Sequence, residues 1–217
     1  PMSQYEVGHW INGNISRGSG ERRQDIHNPA TGAVQGTLLL GSAADLDAAV
    51  ASATQAVKAW SQTPPLARSR VLFKFLNLLQ ERKEQLADAI VREHGKTLPD
   101  AIGEVARGIE VVEFATGMPQ LLKGEYTEQI ARGMDAWSMR QPLGVVAGIT
   151  PFNFPAMVPM WMYPIAIGCG NAFILKPSER DPTASLLMAQ WLKEAGLPDG
   201  VFSVIQGDKD IVDAILA

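Results

Sequence analysis

The sequence has little of several features that would each define a class of protein. It holds one cysteine, Cys169, in 217 residues, which excludes an intramolecular disulfide and a cysteine-rich zinc site and is typical of a reducing compartment. Lysine and arginine form no cluster and the net charge is −4, so we expect no nucleic-acid partner. Neither a G-x-G-x-x-G fingerprint nor a P-loop is present, so the common phosphate-binding motifs are missing.

Signals for export and for membrane insertion are also missing. The N-terminus shows no charged segment followed by an apolar run, so we expect a cytoplasmic protein; a removed mitochondrial transit peptide stays open as an alternative. No charged residue occurs between Arg140 and Lys176, a run long enough to cross a bilayer, but five prolines interrupt any continuous helix there. A parallel sheet buried on both faces has the same apolar density, so we expect no membrane partner.

The chain divides into three predicted segments. Residues 1–123 carry short strands and turns followed by helices, 124–140 form a β-hairpin, and 141–217 alternate between strands and helices. The hairpin has too few apolar residues on one face to stand alone, so we expect it to pack on another chain or on a further segment. Apolar spacing in the first segment predicts helices over 43–60, 65–94 and about 99–122.

From Leu143 onward the pattern is β-α-β-α-β. Predicted strands over 145–149, 172–176 and 201–205 alternate with helices over 155–169 and 182–195. This order predicts an α/β fold with a parallel sheet and right-handed crossovers.

Polar side chains follow the first two predicted strands at the point where each strand ends. Residues 150–153 come after the first strand, and 176–180 come after the second. Ligands of open parallel sheets bind beyond the carboxyl ends of the strands, so both clusters are candidates for one site. Lys176 can donate to a hydroxyl-rich ligand while Glu179 accepts, and a carboxylate at a ribose would repel a 2′-phosphate and favour NAD over NADP. A surface Lys–Glu pair in a loop is the alternative.

Four motifs in this order resemble those of the aldehyde dehydrogenase superfamily. They are Pro142-Leu143-Gly144-Val145, Pro151-Phe152-Asn153-Phe154-Pro155, Gly170-Asn171 and Lys176-Pro177-Ser178-Glu179. The longer run from Phe152 to Met162 resembles the CoA-acylating methylmalonate-semialdehyde dehydrogenases in particular. The resemblance implies a Rossmann-like NAD-binding sheet with N-terminal helices and a protruding oligomerisation hairpin, and a catalytic domain outside these 217 residues.

The resemblance also implies roles for the residues at the strand ends. Lys176 and Glu179 match the residues that hold the adenosine ribose of NAD. Thr150 and Phe152 match residues whose backbone forms the wall along the dinucleotide, and Arg180 matches a residue on the adenine side.

Two further residues match positions that act on the substrate. Asn153 matches the side-chain amide of the oxyanion hole. Arg107 matches an arginine proposed to bind the substrate carboxylate, since a guanidinium suits a carboxylate bidentately. From the residues alone, a helix-surface ion pair of Arg107 with Glu104 or Glu110 is the favoured interpretation, and the resemblance makes the two equal.

The resemblance implies oxidation of malonate or methylmalonate semialdehyde to an acyl-CoA with loss of CO2, with NAD as cofactor, CoA as co-substrate, no metal, and a homo-oligomeric enzyme (dimer or tetramer). The nucleophilic cysteine and glutamate base of the family belong to a later domain, and Cys169 reads as a packing residue. We therefore expect the 217-residue chain alone to be inactive. The alternatives are a general or succinate-type semialdehyde dehydrogenase, and a non-catalytic nucleotide-binding or assembly module.

Overall fold

The computed structural model describes residues 4–217, so the first three residues of the predicted segment 1–123 lie outside the described part. The strands are β1 (Tyr5–Val7), β2 (His9–Ile11), β3 (Asn14–Ser16), β4 (Arg23–His27), β5 (Val34–Leu39), β6 (Tyr126–Ala131), β7 (Met134–Trp137), β8 (Val145–Ile149), β9 (Ala172–Lys176) and β10 (Phe202–Val204). The helices are α1 (Ala43–Trp60), α2 (Pro65–Glu81), α3 (Lys83–His94), α4 (Leu98–Ala115), α5 (Met118–Leu121), α6 (Met157–Met160), α7 (Tyr163–Gly168), α8 (Thr183–Glu194) and α9 (Lys209–Leu216).

The largest sheet confirms the predicted α/β fold with parallel strands. Its order is β3-β2-β10-β9-β8, and β8, β9 and β10 run parallel to one another. The N-terminal hairpin β2-β3 extends this sheet, with β2 antiparallel to β10. Both ends of the chain therefore contribute to the sheet that carries the candidate site.

Helices cover both faces of this sheet, which explains the continuous apolar run in β9. Every residue of β9 is buried. Ala172 and Ile174 belong to one core cluster with residues of α1 and α9, while Phe173 and Leu175 belong to the other, which includes residues of α2, α7 and α8. Successive side chains of a strand point to opposite faces, so a strand between two helical layers is apolar throughout.

The chain passes from one sheet to another at Gly8. β1 pairs with β5 in a three-stranded sheet of order β1-β5-β4, whereas β2 belongs to the larger sheet. A Cβ atom at Gly8 would lie 2.4 Å from the carbonyl oxygen of Ser16, so the close approach of the two backbones requires glycine here.

The helix predicted over 65–94 is wrong as a single element. At Arg82 the backbone leaves helical geometry, with φ −113° and ψ 17°, and α2 ends before α3 begins. The guanidinium of Arg82 donates to both carboxylate oxygens of Glu194 on α8, at 2.6 and 2.7 Å. Apolar spacing alone did not reveal this break because the core positions continue through it.

The helices predicted over 99–122 and 155–169 are also interrupted. α4 ends at Ala115, and the hydroxyl of Thr116 donates to the Glu113 carbonyl, a side-chain contact that competes with helical hydrogen bonding. In 155–169, α6 and α7 are separate short helices, each with a proline near its start. Proline lacks an N–H and is tolerated mainly in a first turn, so Pro159 and Pro164 favour two helices over one kinked helix.

The predicted hairpin forms from β6 and β7 and stands apart from the other sheets. Its side chains are largely exposed, including Tyr126 at 64% and Trp137 at 66%. Within residues 4–217, none of the helices combines the length and apolarity needed to cross a lipid bilayer.

Candidate active site

The two polar clusters meet at one edge of the large sheet, as their positions predict. β8 and β9 are in register, with Ile149 opposite Lys176 at the carboxyl end of each strand. The backbone N–H of Thr150 donates to the Lys176 carbonyl at 3.1 Å, so the strands stay paired to the last residue. The loops that carry 150–153 and 176–180 therefore leave the sheet side by side.

Lys176 and Glu179 form an ion pair that is buried on one side only. The Lys176 ammonium lies 3.2 Å from the Glu179 carboxylate, and its side chain is 4% exposed against 32% for Glu179. The loop is held by Ser178, whose hydroxyl accepts from the backbone N–H of Arg180, and by Gln24, which donates to the Glu179 carbonyl. A largely buried ammonium with a half-exposed partner differs from the solvated surface pair that was the alternative.

Thr150, Phe152 and Arg180 lie around this pair but in different environments. Thr150 is buried, and its hydroxyl has no hydrogen-bond partner in the described part of the chain. Phe152 is 44% exposed; the Arg180 guanidinium lies 4.7 Å from its ring centroid, and the His94 ring stacks on it at 6.2 Å. The edge thus offers one exposed aromatic surface to a ligand, and one buried hydroxyl close to it has no partner in residues 4–217.

The loop that carries Asn153 is held from below by two side chains. The Lys96 ammonium donates to the Asn153 carbonyl at 2.8 Å, and the Glu104 carboxylate accepts from the backbone N–H groups of Ala156 and Met157, at 2.9 and 3.3 Å. The side-chain amide of Asn153 is exposed and makes no hydrogen bond with any residue of 4–217. That amide is available to a ligand.

Arg107 lies beside Asn153 and forms no ion pair with Glu104 or Glu110 among the described residues, so the helix-surface pairing is wrong. Glu104 is fully buried and pairs with Lys96 instead. The Arg107 guanidinium lies 5.7 Å from the centroid of the Phe154 ring. A cavity of about 440 Å³ is lined by Arg107, Phe154 and Asn153, together with Lys96 and Asp100 among others. Arg107 thus forms no ion pair within residues 4–217 and shares a cavity with the exposed amide, and the one carboxylate in that lining, Asp100, is hydrogen-bonded to Thr97.

Comparison with known proteins decides the family. The sequence pattern of the aldehyde dehydrogenase family matches residues 15–217 of this chain. The chain belongs to the aldehyde dehydrogenase family. A malonate-semialdehyde dehydrogenase from Pseudomonas aeruginosa is 52% identical over 208 residues, which are 96% of this chain and 42% of that protein. The chain spans less than half the length of the curated relatives it matches.

Solved structures of longer proteins share the fold. A Sinorhizobium meliloti protein, described as a methylmalonate-semialdehyde dehydrogenase and solved in complex with NAD, superposes with a TM-score of 0.97 at 54% identity. The match covers all of this chain and 44% of that one. An NADP-dependent Escherichia coli enzyme superposes with a TM-score of 0.93 at 29% identity, covering 97% of this chain and 44% of that one.

A buried acidic group beside the candidate site was not apparent from the sequence. Asp181 is 2% exposed, and neither carboxylate oxygen has a hydrogen-bond partner in residues 4–217. Burial, with a smaller effect from the carboxylates of Glu93 and Glu104, raises the pKa of Asp181 to about 8 against the opposing effect of Lys96. Asp181 stands in a run of charged residues that reads as a solvated loop, so composition gave no signal of its burial.

Glu93, at the end of α3, links the smaller sheet to α8. Its carboxylate accepts from the Tyr5 hydroxyl at 2.8 Å and from the backbone N–H of Thr183 at 3.0 Å. Burial raises the pKa of Glu93, and the Thr183 and Tyr5 donors oppose that rise. The Glu93 carboxylate is thus occupied by hydrogen bonds within the fold, whereas neither oxygen of the Asp181 carboxylate has a hydrogen-bond partner in residues 4–217.

Cys169 is not placed for nucleophilic chemistry. It caps the end of α7, lies partly buried, and its sulfur is 3.8 Å from that of Met118. Burial raises its pKa, although Arg68 opposes the rise, so the reactive thiolate is disfavoured. Its neighbour Asn171 has a structural role: its side-chain oxygen accepts from the backbone N–H groups of Leu143 and Gly144 at the start of β8.

Proposed function

We propose that this sequence forms the cofactor-binding and oxyanion-binding part of an NAD-dependent malonate- or methylmalonate-semialdehyde dehydrogenase. The observation that carries the proposal is the pairing of Ile149 with Lys176, which brings the Asn153 loop and the Lys176–Glu179 pair to one sheet edge. Relatives with those names at 52–54% identity support the substrate class.

In this proposal the Asn153 amide stabilises negative charge on the substrate oxygen. A cysteine thiolate attacks the aldehyde carbon, the carbonyl oxygen becomes an oxyanion, and an N–H placed in advance lowers the barrier to this step. The exposed amide, free of other hydrogen bonds, fits this task. The thiolate and its glutamate base come from outside these 217 residues, because Cys169 has neither the exposure nor the pKa of a nucleophile.

The sheet edge fits the adenosine ribose of NAD. Two adjacent ribose hydroxyls need a donor and an acceptor close together, and the Lys176 ammonium and the Glu179 carboxylate lie 3.2 Å apart. The Thr150 hydroxyl is buried without a partner in residues 4–217. Arg180 and Phe152 supply a flat, partly exposed surface on the adenine side. NAD, when bound, accepts a hydride from the substrate carbon. Because the fold also occurs in an NADP-dependent enzyme, we assign the preference for NAD to the Glu179 carboxylate, which repels a 2′-phosphate.

Arg107 binds the substrate carboxylate in this proposal. It lines the same cavity of about 440 Å³ as Asn153, and it has no acidic partner that a substrate carboxylate would have to displace. A semialdehyde that carries a carboxylate would thus be oriented with its aldehyde toward Asn153. The acyl group then passes to CoA, with loss of CO2.

The exposed hairpin β6-β7 is proposed to join subunits of a homo-oligomer. Tyr126 and Trp137 face solvent on a two-stranded sheet, which is marginal in isolation. A second subunit would cover these aromatic side chains.

The experiment that tests the proposal follows the reaction products. The full-length enzyme that carries this sequence should form NADH and an acyl-CoA from malonate or methylmalonate semialdehyde, NAD and CoA, with both products identified by mass spectrometry. The 217-residue chain alone should form no NADH under the same conditions. A free acid as product, with CoA without effect on rate or product, would support a general or succinate-type semialdehyde dehydrogenase. NAD binding without turnover by the full-length protein would support the non-catalytic module.

A further inference from the structure

A buried ion pair lies directly beneath the loop that carries Asn153. Glu104, on α4, is completely buried, and the Lys96 side chain, in the connection between α3 and α4, is 12% exposed. The ammonium contacts one carboxylate oxygen of Glu104 and also donates to the Asn153 carbonyl at 2.8 Å. One cation therefore bridges α4 and the loop.

The second carboxylate oxygen of Glu104 holds the next part of the same loop. It accepts from the backbone N–H groups of Ala156 and Met157, which begin α6 and have no partner within that helix. The Lys96 ammonium also lies 4.0 Å from the centroid of the Phe154 ring. The pair thus contacts four of the five residues from Asn153 to Met157.

The sequence of this loop explains why it needs an external support. Pro151 and Pro155 have no N–H to donate, so the loop cannot hold itself by a backbone ladder. A buried carboxylate is stable only when its charge is paired and its oxygens accept hydrogen bonds, so Glu104 and Lys96 depend on each other and on the loop.

We propose that Lys96 and Glu104 are positioning residues that fix the direction of the Asn153 amide. The inference rests on the proposed oxyanion role of Asn153. Neither side chain is proposed to touch substrate or cofactor; both act through the backbone of residues 153–157. A displacement of about 1 Å in such a group can lower a rate by two powers of ten.

The test is a double-mutant cycle in the full-length enzyme. Lys96→Met should lower kcat by about ten- to a hundredfold, with the KM for NAD unchanged. In the Asn153→Ala background the same substitution should change kcat by less than about threefold, because the group that it positions is already gone.

Glu104→Gln keeps the acceptor for the two N–H groups but loses the charge, so it should give an intermediate loss. Lys83→Met and Glu110→Gln, both at exposed positions on α3 and α4, are the matched controls and should leave kcat unchanged.

The outcomes separate this inference from the proposed function. If Asn153→Ala barely changes kcat, the oxyanion role fails and this inference fails with it. If Asn153→Ala is severe but Lys96→Met lowers kcat by the same factor in both backgrounds, the positioning role alone is overturned.

Hydrogen exchange on the 217-residue chain gives a readout that needs no activity. The amides of Ala156 and Met157 should exchange faster in Glu104→Leu, which removes their acceptor, than in Glu110→Leu, even if Lys96→Met does not fold. Equal exchange in the two variants would show that Glu104 does not hold the loop.

Discussion

Asp181 should make the stability of this fold fall as pH rises through neutrality. Its carboxyl group is 2% exposed and has no hydrogen-bond partner among residues 4–217. The carboxylates of Glu93 on α3 and Glu104 on α4 oppose the ionisation of Asp181. The Lys96 ammonium favours ionisation, but its effect is smaller than the opposing effect of burial. In the folded protein the pKa of Asp181 is therefore about 8, so the carboxyl group stays protonated up to that pH. In the unfolded chain its pKa has the ordinary value of 3.8.

The sign and size of the effect follow from the two pKa values. Because the folded value is the higher one, the contribution of Asp181 to stability is fully present below pH 3.8, declines as pH rises, and is lost above about pH 8. Each unit of pKa difference corresponds to about 1.4 kcal/mol, so the free energy of unfolding should drop by about 4 kcal/mol between pH 5 and pH 8 from this group alone.

Asp181→Asn removes the titration while keeping the shape of the side chain. The variant and the parent chain are unfolded in urea at pH 5, 6, 7 and 8, with circular dichroism as the signal. The free energy of unfolding of the variant should rise by about 4 kcal/mol relative to that of the parent from pH 5 to pH 8. Asp47→Asn, at an exposed position on α1, is the control and should follow the parent at every pH. A difference between Asp181→Asn and parent that stays constant within about 1 kcal/mol from pH 5 to pH 8 would show that Asp181 is ionised in the fold, and would refute the reasoning.

Three further predictions concern the site residues of the full-length enzyme. Glu179→Gln should shift the ratio of NAD to NADP affinity toward NADP by about tenfold, because the carboxylate no longer repels the 2′-phosphate; an unchanged ratio in titration calorimetry would remove Glu179 from the ribose site. Arg107→Leu should lower kcat/KM for malonate semialdehyde by about ten- to a hundredfold, because a charge-assisted hydrogen bond is lost. It should change kcat/KM for propanal by less than about threefold. Equal losses for both aldehydes in steady-state kinetics would leave Arg107 without a role in carboxylate binding. Cys169→Ser should keep kcat within about threefold while lowering the free energy of unfolding by about 1 kcal/mol. Loss of turnover in the folded variant would instead make Cys169 the nucleophile.

The parallel sheet and the meeting of two polar clusters could be predicted because each depends on local pattern. The apolar strand over 172–176 requires helices on both faces, whereas the strand over 145–149 lies at the edge of the described sheet and is partly exposed; because the two are parallel, their carboxyl ends meet at one edge. The loops that carry Asn153 and Lys176 thus leave the same sheet edge by topology, without any need to know their side-chain contacts.

The support beneath that edge could not be predicted, because it depends on contacts distant in sequence. Lys96 lies 57 residues from Asn153, and Glu104 lies 52 from Ala156, so neither pairing leaves a periodic trace. Spacing along α4 favoured an ion pair between Arg107 and Glu104, but Glu104 points into the core toward Lys96.

The turnover number of Asn153→Ala in the full-length enzyme tests the central claim most directly. The account predicts that kcat falls by about two to three powers of ten, as for removal of one oxyanion donor, while the Kd for NAD stays within about twofold. A fall of less than about threefold, in a variant that binds NAD normally, would contradict the assignment of this sheet edge as an oxyanion site.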